Sequence, residues 1–180
     1  MTDASALEYA GDGGAQALSH EQFEAFYAQT ARSLRSYLCR IAGATAMADD
    51  FLQESYIRLL VAPPMEEQHR KPYLYRVATN LVNDHWRQQG RHRRWRRLFP
   101  SRDEAAPHGV ELASDMQRLF QQIAPRERAL LWLAYVEGAG HREIAAILQL
   151  KEASVKVLLF RARRKMEAIL KDHGFEDSHD

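Results

Sequence analysis

A chain of 180 residues, 46% apolar with a formal net charge of +1, is long enough to bury one core or two small ones. No apolar run approaches the roughly 18 residues that span a bilayer, and the opening residues 1–18 lack a basic, apolar leader, so membrane insertion is not expected and a cytoplasmic location is. Cys39 is the single cysteine, which excludes an internal disulfide and a multi-cysteine zinc site; it reads as a small buried side chain or as a redox-sensing thiol.

Residues 1–18, with Gly11, Gly13 and Gly14 among small and acidic neighbours, read as a disordered tail. Ser19 and Gln22 have the spacing of a capping box. Beyond them Phe23, Phe26, Tyr27, Leu34, Tyr37, Leu38 and Ile41 recur at helical steps, and Gly43 ends that helix. A second helix is expected over about 46–61, with Phe51, Leu52, Tyr56 and Leu59 on its apolar stripe. Pro63 and Pro64 stop it and open a polar loop reaching Lys71. Pro72 suits a helix N-terminus, after which Leu74, Val77, Ala78, Leu81 and Val82 trace an apolar face leading into an arginine-rich stretch.

The composition changes between Pro100 and Gly109, where Pro, Ser, Asp and Glu mark a linker. Helical patterns resume over 110–123, from Pro125 past Val136, over 142–148, and from Ala153 to about Leu170. No alternation of the kind strands show interrupts them. The expected fold is all-α. Two small helical domains, residues 19–98 and 113–172, flank a flexible linker at 99–112, with a short tail at 173–180.

The near-neutral charge conceals segregation. Arg87, Arg91, Arg93, Arg94, Arg96 and Arg97 crowd one stretch, Lys156, Arg161, Arg163, Arg164 and Lys165 another, while Asp49, Asp50 and Glu54 gather elsewhere. Two basic surfaces suit nucleic acid and an acidic one suits a protein partner. The 141–156 segment has the pattern of a helix-turn-helix. Ala145 is small where two helices cross, and Ile144, Leu148, Leu150 and Val155 would fill the angle between them. The second helix would then turn Lys156, Phe160, Arg161, Arg163 and Arg164 outward, toward a major groove whose base edges they can read. The alternative is a helical hairpin with a solvated basic face. Gln149 stands at the turn where glycine is common.

Three strings resemble a known family when taken together. Ala48-Asp49-Asp50-Phe51-Leu52-Gln53-Glu54-Ser55-Tyr56-Ile57-Arg58-Leu59 is similar to region 2.2 of the extracytoplasmic-function (ECF) sigma factors of bacterial RNA polymerase. Tyr73-Leu74-Tyr75-Arg76-Val77-Ala78-Thr79-Asn80 through Asp84-His85-Trp86-Arg87 resembles regions 2.3 and 2.4, and 125–164 resembles region 4. Motif order and spacing match over roughly residues 20–170.

The resemblance implies roles. Asp49, Asp50, Gln53 and Glu54 would dock on the clamp coiled coil of the polymerase's largest subunit, though Asp49 also suits a helix dipole. Tyr73, Tyr75, Arg76, Asn80, Trp86 and Arg87 would meet the −10 element through base stacking, an amide and charge, with residues 62–71 as the family's specificity loop. Tyr73 stands where tryptophan is usual, and Asp84 with Arg87 could be an intrahelical pair. Ser154, Lys156, Phe160, Arg161 and Arg164 would contact the −35 element, with Val157 and Leu158 departing from the family's serine and arginine. The run from Arg91 to Arg97 is either a backbone grip near the −10 element or a solvated helix end.

The implied partners are core RNA polymerase (clamp and flap region), promoter DNA and an anti-sigma factor, with no cofactor. No phosphate loop, metal-spaced set or nucleophile elbow suggests an enzyme. A stand-alone helix-turn-helix regulator would leave the acidic 49–54 helix and the aromatic 73–87 helix without purpose. A protein-only adaptor would leave both basic runs solvated.

Overall fold

The computed structural model describes residues 18–42, 45–98 and 115–175. Every regular element among them is a helix: α1 (His20–Ala42), α2 (Thr45–Leu60), α3 (Glu67–Leu98), α4 (Asp115–Gln121), α5 (Pro125–Tyr135), α6 (His141–Leu148) and α7 (Glu152–Asp172). The linker expected at 99–112 lies outside the described residues.

Helix α1 begins as its sequence dictates. Ser19 Oγ accepts the Gln22 N–H at 3.2 Å and Gln22 Oε1 accepts the Ser19 N–H at 3.1 Å, satisfying two donors that a helix start leaves open. Leu34, Tyr37, Leu38 and Ile41 then bury one stripe against α2 and α3. Polar atoms brought into this core are paired. Thr79 Oγ1 donates to the Tyr75 carbonyl at 2.7 Å and so accepts from Tyr37 Oη at 2.7 Å. Thr30 likewise donates to the Phe26 carbonyl and accepts from Tyr56 Oη at 2.7 Å. Burial pushes the phenols of Tyr37, Tyr56 and Tyr75 above their usual range, so each stays a neutral donor. Burial also raises the Cys39 thiol, the opposite of what activates a thiolate, which favours the plain packing role.

Helix α3 starts earlier than its proline suggests. Pro72 lies inside it rather than at its first turn, and residues 67–71, expected as loop, are helical. The missing Pro72 N–H leaves only the Gln68 carbonyl without a helical donor, and Gln68 is exposed, so water can serve it. The backbone of 91–97 continues as helix to Leu98.

In the C-terminal half, Pro125 opens α5 and the Ala124 N–H donates to Glu127 Oε2 at 3.2 Å. Helices α6 and α7 form the helix-turn-helix. Ile144, Ala145, Leu148 and Val155 are buried between them, with Leu150 packed on the same core. Gln149 takes the left-handed conformation glycine would supply (φ 54°, ψ 52°), and the Leu150 N–H reaches back to the Ala145 carbonyl at 2.9 Å. The turn keeps its geometry, and the side chain bears the strain. Gln149→Gly is therefore expected to stabilise the protein by about 1 kcal/mol, read as a higher urea midpoint at unchanged slope.

The two halves do not stand apart. One continuous buried cluster runs from Leu34, Leu74 and Val82 into Leu130, Leu133, Ile144 and Leu159, with α1 against α5 and α3 against α6.

Candidate nucleic-acid interface

Helix α7 separates its two faces by helical spacing. Val155, Leu159 and Ala162 are buried, while Lys156, Phe160, Arg161 and Arg164 are exposed, Phe160 by 55%. An aromatic ring this exposed beside cations has no packing role. Lys156 and Arg161 have no ion pair among the described residues, whereas Arg164 lies 3.8 Å from Glu167. Ser154 is half-buried, its N–H donating to the Lys151 carbonyl at 2.9 Å. Lys165, part of the same basic run, instead ties α7 to α5 through Glu127 at 2.8 Å.

Helix α3 places its expected residues unequally. Tyr73 is half-buried with the Arg76 guanidinium 5.2 Å over its ring. Asn80 and Trp86 are half-buried, and Arg87 is exposed, 3.6 Å from Asp84, so the intrahelical pair does form. Tyr75 is different. Only 1% exposed, it packs against Tyr37 at 5.2 Å between centroids and donates to Ser33 Oγ at 3.0 Å. The stacking role expected of it gives way to a core role, because it shares the face of Leu74 and Ala78. Asn83, which the sequence reading passed over, lines a crevice with Asn80, Trp86 and Arg87. Its spacing three residues after Asn80 was the available signal.

The acidic helix α2 is also divided. Asp49 is held bidentately by Arg35 of α1, at 2.6 and 3.0 Å, and that guanidinium keeps its carboxyl below the usual range. Glu54 is paired with Arg58 at 2.7 Å. Asp50 and Gln53 are exposed and carry no side-chain partner among the described residues. Continuing their face by helical steps, Ile57, Leu60 and Val61 are 45%, 52% and 77% exposed. The sequence reading missed these apolar positions, because an exposed and a buried isoleucine look alike in a pattern.

Two family models match the chain: "Sigma-70 region 2" over residues 26–92 and "Sigma-70, region 4" over 114–166. Curated relatives are ECF RNA polymerase sigma factors. SigL of Mycobacterium tuberculosis is 28% identical over 173 residues, covering 89% of this chain and 96% of that one. SigM of Bacillus subtilis is 26% identical over 129 residues, covering 68% and 79%. This chain belongs to the ECF group of the sigma-70 family. SigE of Mycolicibacterium smegmatis, 28% identical over 152 residues, covers 76% of this sigma factor, which spans 57% of SigE's length.

The fold agrees. The sigma factor RpoE of Bartonella quintana, solved in complex with the anti-sigma factor NepR, superposes with a TM-score of 0.66 at 17% identity, over 84% of this chain and 98% of that one. As a sigma factor the chain binds core RNA polymerase and promoter DNA to start transcription. Sigma factors as a family are regulatory proteins, and no described helix of this one is long and apolar enough to cross a membrane.

Proposed function

We propose that this sigma factor divides promoter recognition among three surfaces. The α2 face of Asp50, Gln53, Ile57 and Leu60 docks on the polymerase clamp, with Asp49 and Glu54 at its edge. On α3, Tyr73, Arg76, Asn80, Trp86 and Arg87 engage the −10 strand, joined by Asn83. On α7, Ser154, Lys156, Phe160, Arg161 and Arg164 enter the major groove at the −35 element. The observation that carries this reading is the face of α7, where unpaired cations flank an exposed Phe160 over a fully buried opposite stripe.

Docking through a mixed face has a physical logic: the acids steer association with a basic partner surface, and Ile57 and Leu60 supply apolar burial. A 530 Å³ groove lined by Phe120, Leu131, Trp132, Tyr135, Met166 and Leu170 supports contact of the C-terminal half with an amphipathic helix of the polymerase flap region. The RpoE–NepR complex supports control by an anti-sigma factor. The chain acts in the cytoplasm and catalyses no reaction of its own.

Run-off transcription with core bacterial RNA polymerase, with and without this protein, on a pool of promoter fragments tests the reading. Starts at defined sites that require the protein uphold it. Sequence-specific DNA binding that needs no polymerase, with no polymerase-dependent starts, would replace it with a stand-alone regulator. Arg161→Ala is expected to weaken −35 duplex binding by about 1–3 kcal/mol and to relax base preference at one or two positions, leaving core binding unchanged. Competition binding with single-base −35 variants measures this. A uniform loss across all sequences would make Arg161 a phosphate contact instead.

A further inference from the structure

Helix α7 presents more than charge. At about 100° per residue, Val155 and Ala162 fall on one side of the helix and are fully buried, while Val157 and Phe160 fall on the other, within about 60° of each other. Val157 is 49% exposed and Phe160 55%. Exposed Ala153 and Arg164 share their line along the helix, and exposed Lys156 and Arg161 flank it on either side. Up to Arg164, the centre of the outward face is apolar and its margins are cationic.

The fold fixes this row in place. Of the two positions that depart from the family pattern, Leu158 packs on the core, so the outward departure is Val157. The left-handed turn at Gln149 sets the entry to α7, and Glu127 of α5 holds Lys165 in its second half at 2.8 Å. The apolar groove beside α5 draws on Met166 and Leu170 of α7, not on this row.

In a major groove, a side chain with no donor or acceptor strips water from the base edge it covers and returns no hydrogen bond, which is unfavourable at most bases. Thymine is the exception, because its 5-methyl group projects into that groove as an apolar surface. The early turns of a recognition helix are the ones that meet base edges, and Val157 and Phe160 stand in the second and third turns of α7.

We propose that Val157 and Phe160 determine −35 specificity by reading thymine 5-methyl groups, while Lys156 and Arg161 supply hydrogen bonds and charge around them. Their role depends on the assignment of α7 to the −35 element and adds to it the chemical group that is read.

The test uses holoenzyme assembled from the full chain and core RNA polymerase, in competition binding on duplexes that carry the −35 element defined by run-off transcription and no −10 element. Replacing each thymine of the element by uracil removes one methyl and keeps every hydrogen-bonding group. Binding should weaken about fourfold at one or two positions, the loss expected for one buried methyl, and not at all for uracil outside the element. At the same positions a 5-methylcytosine·guanine pair should bind about fourfold tighter than cytosine·guanine. Val157→Ser should bind the thymine duplex as weakly as wild type binds the uracil one, and lose its response to uracil at that position. Phe160→Ala should act likewise at the same or a neighbouring position. Both side chains are exposed, so neither variant should lower the melting temperature. Uracil bound as tightly as thymine throughout, an equal uracil effect in wild type and both variants, or a −35 element without an A·T pair overturns the proposal. Holoenzyme that starts no transcripts and binds no duplex sequence-specifically would defeat the placement of α7 itself, and the methyl reading with it.

Discussion

Asp50→Lys is expected to weaken binding to core RNA polymerase by more than about a hundredfold and to abolish run-off transcription, because it sets like charges together at a basic partner surface. Its fold should be untouched. Asp50 is exposed, makes no side-chain contact among the described residues, and lies on the far side of α2 from buried Ala48, Tyr56 and Leu59. Thermal unfolding should therefore match wild type while a pull-down on immobilised core enzyme fails. Asp49→Ala is the informative contrast. It breaks the Arg35–Asp49 pair and loosens an α1–α2 tie, so any loss of polymerase binding there mixes docking with local structure. Wild-type core affinity in Asp50→Lys would move the docking surface off α2 altogether.

Ile144→Ala is expected to destabilise the protein by about 2–5 kcal/mol, since it empties a fully buried site between crossing helices that cannot collapse. For a unit the size of the C-terminal half, that corresponds to a melting temperature lower by more than about 10 °C. Specific −35 binding should fall as well, because Ile144 sets how α6 holds α7. Ile144→Val should cost only about 0.5–1.5 kcal/mol and keep DNA binding, which separates volume from shape. Denaturant melts of the two variants, paired with duplex binding, check both. Equal losses would mean that the δ-methyl, which both substitutions delete, carries the contribution and that the rest of the side chain adds little.

Much of this protein could be read in advance because its helices are specified locally. The Ser19–Gln22 capping box, Pro125 at a helix start and the buried steps of α7 depend on neighbours three or four residues away. The order of motifs that placed the chain in its family is likewise written along the sequence itself. The Pro72 boundary was misplaced because a proline favours a helix start but tolerates a solvent-served position further in.

Residue types and periodicity determined that the chain is helical, where its cores begin and which segments carry basic or acidic charge. They could not tell a half-buried aromatic from a fully buried one on the same helix, so Tyr75 and Tyr73 looked equivalent until packing put one against Tyr37. Nor could they show that Asp49 is clasped by Arg35, or that Lys165 serves α5 rather than DNA, since those partners lie 14 and 38 residues away. The contact of the two halves was likewise decided only by tertiary structure. Arg128 meets a carbonyl 88 residues distant, and a backbone carbonyl leaves no mark in the sequence.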